Sequence, residues 1–137
     1  MRFLHRAPAA RLVLALAFWA MSNPVAAEEG RLNKTVWSAQ DASIAGYART
    51  NATCEGIEPP IIFLDKPPEH GTVCWRSGKI RMNAVVEGNL HHCVGKVVAG
   101  VVVRYMSRRG YAGSDKVGYT VRFPRENHPV DVELTVR

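Results

Sequence analysis

The sequence lacks the signatures of common enzyme chemistry. It has no G-x-S-x-G or other nucleophile motif and no glycine-rich phosphate loop. It also has no C-x-x-C and no H-x-x-x-H spacing, in which nearby residues hold a metal ion. The carboxylates are scattered, and none lies in an apolar setting of the kind that raises a pKa. These absences predict a protein that is not an enzyme and has no cofactor.

Long hydrophobic runs are also scarce. The main one, LVLALAFWAM, follows the basic residues Arg2, Arg6 and Arg11 and precedes Pro24 and the small pair Ala26-Ala27. A run of about 10 residues is half of what a bilayer span needs, which disfavours a retained membrane anchor. The layout is typical of a secretory signal peptide, so we predict that residues 1–27 are removed and that the protein is periplasmic or secreted. We expect no membrane span after this removal.

The chain also lacks a large excess of positive or negative residues. Cleavage after Ala27 removes three of the 18 basic residues and none of the 12 acidic ones, which leaves a net charge of +3. This charge is too small to indicate nucleic-acid binding. The remaining chain of about 110 residues is long enough for one domain with one core.

Short apolar runs alternate with turn residues from Pro59 onward, and this pattern is typical of an all-β chain. The segments 116–123 and 130–137 alternate with period two, which predicts one buried and one wet face for each strand. Sheets with such faces must pack on each other, which predicts a β-sandwich. The other predicted strands are IIFL at 61–64, VVAGVVVRYM at 97–106, and a hairpin of 72–76 and 79–86 around Ser77-Gly78.

Residues 28–53 are polar and weakly patterned, with few sizeable apolar anchors. They are typical of a loose arm, or of a short strand or helix that lies on the domain. We therefore divide the chain into a signal peptide (1–27), an N-terminal arm (28–56) and a β-sandwich domain (57–137).

Two motifs carry a resemblance to a known family. The first is P-P-E-H-G-T-V, from Pro67 to Val73, and the second is V-x-Y-M-S-R-R-G-Y-A-G-S-D-K-V-G-Y-T-V, from Val103 to Val121. Together they resemble the bacterial cadherin-like, immunoglobulin-like (Ig-like) domains over residues 57–137. The resemblance implies an antiparallel Ig-like β-sandwich with Greek-key connections, present here in a single copy.

The resemblance also implies that the motif residues are structural. Gly110 and Gly113 would permit turn conformations that a side chain blocks, and Asp115 would accept backbone N–H groups of its own turn. Tyr111 and Tyr119 would place rings in the core, with their hydroxyls on backbone at the rim. The full set of residues that it marks is His70, Gly71, Gly110, Tyr111, Gly113, Asp115 and Tyr119.

Cysteine is rare, with three residues in the whole chain. In an oxidising compartment two of them should pair. Cys54 and Cys93 both lie in connections, which favours a bridge between them, while a Cys74–Cys93 bridge remains the alternative. If Val73 and Trp75 face the core, Cys74 faces solvent, where its thiol is available for a disulfide-linked dimer.

A metal site is the competing interpretation of the G-N-L-H-H-C segment. His91, His92 and a free cysteine, Cys74, would be its ligands, and the protein would then be a periplasmic carrier of copper or zinc. Adjacent residues on a strand point to opposite faces, however, so His91 and His92 rarely bind one ion together. Loop histidines beside a disulfide are the favoured interpretation.

A small basic cluster is the remaining candidate for binding. The sequence predicts a patch for anionic ligands, such as lipopolysaccharide or an acidic glycan, at Arg104, Arg108 and Arg109. Arg76, Lys79 and Arg81 would add to this patch if they lie nearby. We therefore expect a non-enzymatic binding or accessory module of the bacterial envelope. Its partner is an unknown envelope protein or an anionic glycan.

Overall fold

The computed structural model describes residues 30–85 and 88–137. The predicted signal peptide at 1–27 lies outside the described residues. The strands are β1 (Arg31–Val36), β2 (Ala42–Tyr47), β3 (Arg49–Thr50), β4 (Gly56–Ile57), β5 (Ile61–Lys66), β6 (Gly71–Arg81), β7 (Val97–Ser107), β8 (Gly113–Arg122) and β9 (Asn127–Val136). A 3-10 turn, His91–Cys93, lies between β6 and β7. No helix in the described part of the chain has the length and hydrophobicity needed to cross a bilayer.

The strands form two main sheets and one small one. The four-stranded sheet has the order β1-β9-β8-β5, the three-stranded sheet has the order β2-β7-β6, and β3 pairs with β4 alone. Every pairing is antiparallel except that of β1 with β9, which is parallel. The predicted all-β class is confirmed.

One core lies between the two main sheets. The alternating residues of β8 and β9 supply much of it, as the period-two pattern predicted. From the opposite sheet, Val103 and Tyr105 of β7 and Ile44 of β2 bury their side chains in the same cluster. The result is a β-sandwich-like arrangement of two facing sheets.

The predicted hairpin around Ser77-Gly78 is wrong. Strand β6 runs without a break from Gly71 to Arg81, and Gly78 lies opposite Gly100. The equally long β7 offers a partner for every residue of β6, so the backbone groups at Ser77 and Gly78 are satisfied without a turn. A side chain at Gly78 would place its Cβ 2.9 Å from Cγ2 of Val102, so the glycine permits close approach.

The predicted N-terminal arm, residues 28–56, contributes strands to both main sheets where the structure describes it. β1 adds to the edge of the four-stranded sheet, and β2 pairs with β7 in the other sheet. Val36 and Ile44, in these two strands, are 5% and 1% exposed and belong to the common core. The segment that we predicted to be an arm, as far as the structure describes it, is therefore an integral part of both sheets.

Candidate functional site

The two motifs that carry the family resemblance meet at one buried carboxylate. Asp115, in β8, is 4% exposed and accepts the backbone N–H groups of Glu69 and His70, each at 3.0 Å. It also accepts the Tyr105 hydroxyl at 2.8 Å and the N–H of Lys116 at 2.9 Å. The resemblance implied bonds within the same turn, but most of these bonds reach other segments. Asp115 thus ties the connection before β6 to strands β7 and β8.

The charge on Asp115 is stabilised by these bonds. Burial raises the pKa of this carboxyl, but the hydrogen bonds from Tyr105, Lys116, Glu69 and His70 outweigh burial, and the net pKa is lowered. The pKa of the Tyr105 hydroxyl is raised, first by burial and then by its hydrogen bond to Asp115. Both oxygens of this buried carboxylate accept hydrogen bonds from the protein. Asp115 therefore stabilises the fold and has no oxygen available to a substrate.

The rest of the motif surrounds this carboxylate. The rings of His70 and Tyr111 stack with centroids 4.1 Å apart, and Arg108 donates to Nδ1 of His70 at 3.1 Å. Gly110 and Gly113 have φ values of +78° and +138°, a region that favours glycine. These residues form a braced corner at one end of the sandwich.

Tyr111 and Tyr119 use their hydroxyls differently. The Tyr111 hydroxyl donates to the backbone carbonyl of Ser114. The Tyr119 hydroxyl instead shares a 2.8 Å hydrogen bond with the hydroxyl of Tyr47, which lies on the opposite sheet. Burial raises the pKa of both Tyr47 and Tyr119, so both hydroxyls stay protonated at neutral pH. The contact to backbone that we expected for Tyr119 is therefore wrong.

A disulfide joins Cys54 to Cys93, with their Cα atoms 5.3 Å apart. This was the favoured of the two predicted bridges and it is confirmed. Cys74 is the free cysteine of the described chain, and it is exposed. Trp75 lies opposite Val103 on the core side, yet it is 39% exposed because β6 is an edge strand.

The predicted metal ligands do not come together. Cys74 lies near the Gly71 end of β6, whereas the His91–Cys93 turn follows the Arg81 end, where Gly95 donates to the carbonyl of Met82. Arg81 is seven positions after Cys74 along β6, which is roughly 23 Å at about 3.3 Å per residue. His92 lies instead beside the disulfide, and its Nε2 is 2.8 Å from the carbonyl oxygen of Ala52.

The predicted arginine patch is largely engaged by protein groups. Arg104 donates through Nε to both carboxylate oxygens of Asp41, at 2.8 and 2.9 Å, and Arg76 pairs with the same carboxylate at 2.8 Å. The hydrogen bond from Arg104 lowers the pKa of Asp41. Arg108 donates to the carbonyl of Glu69. Arg109 is exposed.

A cleft of about 470 Å³ lies at the other end of the sandwich. Strands β2 and β6, the β3–β4 segment, the described part of the connection after β6 and the connection after β8 form its walls. Its apolar lining includes Ile57, Ile80, Leu90 and Phe123.

Arginines supply the charge in this cleft. Arg49, Arg81 and Arg125 line it, and no Asp or Glu does so among the described residues. Arg49 and Arg81 each donate one bond to a backbone carbonyl, of Glu58 and Gly95 respectively. A guanidinium has five N–H donors, so these contacts leave donors available to a ligand. The hydroxyl of Thr50, which also lines the cleft, is buried and has no hydrogen-bond partner among the described residues.

The disulfide links two walls of the cleft. Cys54 lies between Thr50 and Ile57, and Cys93 comes three residues after Leu90. The sequence did not predict the cleft, because its arginines come from β3, from the end of β6 and from the connection after β8, and they share no spacing. Only the cysteines signalled that these distant segments meet.

The comparisons with known proteins leave the family open. No family model matches the chain, and no curated protein matches it. A solution structure of Amebosin is similar over 81% of this chain and 100% of that chain, with 10% identity and a TM-score of 0.39. At this TM-score the likeness carries no argument about fold or function.

Proposed function

We propose that this protein is a non-enzymatic Ig-like binding module of the bacterial envelope, and that its ligand is an anionic molecule with an apolar part, such as lipopolysaccharide. The Ig-like assignment rests on the two motifs and on the strand order. Immunoglobulin-type domains divide their strands into an A-B-E-D and a C-F-G sheet. Here β2-β7-β6 corresponds to B-E-D and β5-β8-β9 to C-F-G, while β1 adds beside β9.

The observation that carries the proposed ligand is the arginine-lined, apolar cleft. Guanidinium groups recognise phosphates and carboxylates through paired, charge-assisted hydrogen bonds. The apolar lining residues would cover an acyl chain or another hydrocarbon part of the same ligand. A purely sugar-based acidic polymer would leave this apolar lining unused.

The proposed location follows from the leader and agrees with the cysteine chemistry. A signal peptide at residues 1–27 would export the chain to the periplasm or the medium. The Cys54–Cys93 bridge supports this location, because stable disulfides are typical of oxidising compartments.

A matched pair of charge reversals tests the proposed site. Arg125→Glu changes an exposed arginine in the cleft, and Arg109→Glu changes an exposed arginine in the patch that the sequence predicted. Binding of residues 28–137 to purified lipopolysaccharide is measured by calorimetry. Because a hydrogen bond to a charged group contributes about 1.5–3 kcal/mol, Arg125→Glu should weaken binding about 10–100-fold.

The control variant separates a site from general attraction. Arg109→Glu should change the affinity by less than about threefold, since a distant exposed charge is screened by salt. Equal losses in both variants would mean that net charge alone drives binding. No loss in either variant, or no binding by the unmodified protein, would contradict the cleft as the ligand site.

A further inference from the structure

We propose that Cys54, His92 and Cys93 form a binding site for a thiophilic metal ion, with Zn²⁺ as the clearest case, once the disulfide is reduced. The sulfurs of both cysteines and a ring nitrogen of His92 all lie within 4.8 Å of one another. A tetrahedral zinc with Zn–S bonds of about 2.3 Å needs sulfurs about 3.8 Å apart, which this cluster can provide. The fourth ligand position would stay open to solvent.

Hydrogen bonds hold the Cys54 side of the site independently of the disulfide. The side-chain oxygen of Asn51 accepts the backbone N–H groups of Thr53 and Glu55, at 3.1 and 2.9 Å. The backbone carbonyl of Asn51 accepts the N–H of Cys54 at 3.0 Å. This loop gives Cys54 a φ of +63°, and its own bonds would keep the sulfur in place after reduction.

The Cys93 side is held in a similar way. The N–H of Cys93 donates to the carbonyl of Leu90 at 2.9 Å, and its carbonyl accepts the N–H of Lys96 at 3.0 Å. Cys93 is fully buried, so its position depends on packing as well as on the bridge. Both sulfurs should therefore remain close to each other when the covalent bond is gone.

His92 already has the outer contact that metal-binding histidines use. Its Nε2 lies 2.8 Å from the carbonyl oxygen of Ala52, and a carbonyl can only accept a hydrogen bond. Nε2 therefore carries the proton, and Nδ1 keeps a lone pair. A histidine ligand usually donates its second ring N–H to a carbonyl or carboxylate, which fixes the ring and the tautomer.

The change between the two states is an ordinary thiol–disulfide exchange. A dithiol reductant supplies both electrons: one thiolate attacks Sγ of Cys54, the partly exposed half of the bridge, and Cys93 leaves as a thiolate. The second thiol of the reductant then releases Cys54, and the reductant ends as a disulfide. Zn²⁺ binds as the two cysteine thiols lose their protons to solvent.

The test measures Zn²⁺ binding by the full mature chain in both redox states. A Cys74→Ser background removes the exposed thiol, so that only Cys54 and Cys93 can supply sulfur. The oxidised protein should bind no stoichiometric Zn²⁺, and the reduced protein should bind one ion per chain. Co²⁺ in place of Zn²⁺ should give thiolate charge-transfer absorption in the reduced protein alone.

Neighbouring histidines provide the matched variants. His92→Ala should lower the affinity of the reduced protein more than about 100-fold, since loss of an outer contact alone costs about 10–100-fold. His91→Ala should leave it unchanged, because His91 is exposed and outside the cluster. Equal effects of the two variants would show that the ion is held by an unfolded segment. Equal binding by oxidised and reduced protein, or no binding after reduction, would overturn the proposal.

Discussion

Asp115 shows how a single residue can hold separate segments of a small β domain. Its carboxylate receives backbone N–H groups from the connection before β6 and a hydroxyl from β7. Replacement of any one of these donors leaves others in place, but loss of the carboxylate affects them all. Residues of this kind in exposed motifs are easily mistaken for catalytic groups, because they are acidic and surrounded by other polar groups.

Asp115→Asn should lower the free energy of unfolding by about 2–4 kcal/mol. The amide of asparagine keeps the shape of the carboxylate but loses its charge. Its NH2 group cannot accept the hydrogen bonds that one carboxylate oxygen of Asp115 now accepts. Urea unfolding followed by circular dichroism measures the loss. Glu133→Gln, an exposed carboxylate of β9, is the control and should change stability by less than about 0.5 kcal/mol.

The same carboxylate gives stability a defined dependence on acid. Its pKa is lowered in the native state, so the stability it contributes is fully present above the unfolded-state pKa of about 3.9. This contribution is lost as the pH falls through the lower native pKa. Urea midpoints measured between pH 7 and pH 2 should show this loss in the unmodified protein. A parallel decline in Asp115→Asn would show that other groups cause it.

Gly113→Val should destabilise the domain by about 1–3 kcal/mol. Gly113 has a φ of +138°, and a Cβ at this position would also meet the Tyr111 hydroxyl at 3.0 Å. Thermal unfolding compares this variant with Ser114→Val, the exposed neighbour whose φ is not positive. Equal melting temperatures for Gly113→Val and the unmodified protein would contradict this account of the turn.

Among the strands, those with two clearly different faces were the most predictable. From Lys116 in β8 and from Val130 in β9, valine, tyrosine or leucine alternates with mostly polar residues, while β5 begins with the apolar run IIFL and β7 is rich in valine. The sequence did not distinguish β1 and β2 from a loose arm or a short helix, because each buries few large side chains, chiefly Val36 and Ile44. Their pairing partners, and not their own composition, make them strands.

The outward face of β6 has a further consequence, because it carries the exposed thiol of Cys74. Alkylation without reductant, followed by peptide mass mapping, should label Cys74 alone, since Cys54 and Cys93 are bridged. Cys74→Ser should leave the melting temperature nearly unchanged and remove any disulfide-linked dimer. A label on Cys54 would mean that the bridge joins Cys74 to Cys93 instead.

For the molecule as a whole, the two ends of the sandwich differ in how they are held. Hydrogen bonds around Asp115 brace one end, and the Cys54–Cys93 bridge fastens the other, beside the arginine-lined cleft. The braced end was visible in the sequence as a motif. The cleft was not, because a concave surface depends on how strands and connections that are distant in sequence meet, and no local pattern shows this.

The bridged end should contribute much of the stability of this small domain. The cysteines are 39 residues apart in sequence, for which loss of chain entropy in the unfolded state predicts about 4 kcal/mol as an upper figure. Cys54→Ser/Cys93→Ser should therefore lower the free energy of unfolding by about 2–4 kcal/mol, measured in urea beside Cys74→Ser as the control. The double variant should also expose more surface on unfolding and show a larger urea m-value, because its unfolded chain is no longer cross-linked. If stability and m-value both match those of Cys74→Ser, the hydrogen bonds of Asn51 and Leu90 hold this end of the sandwich without the bridge.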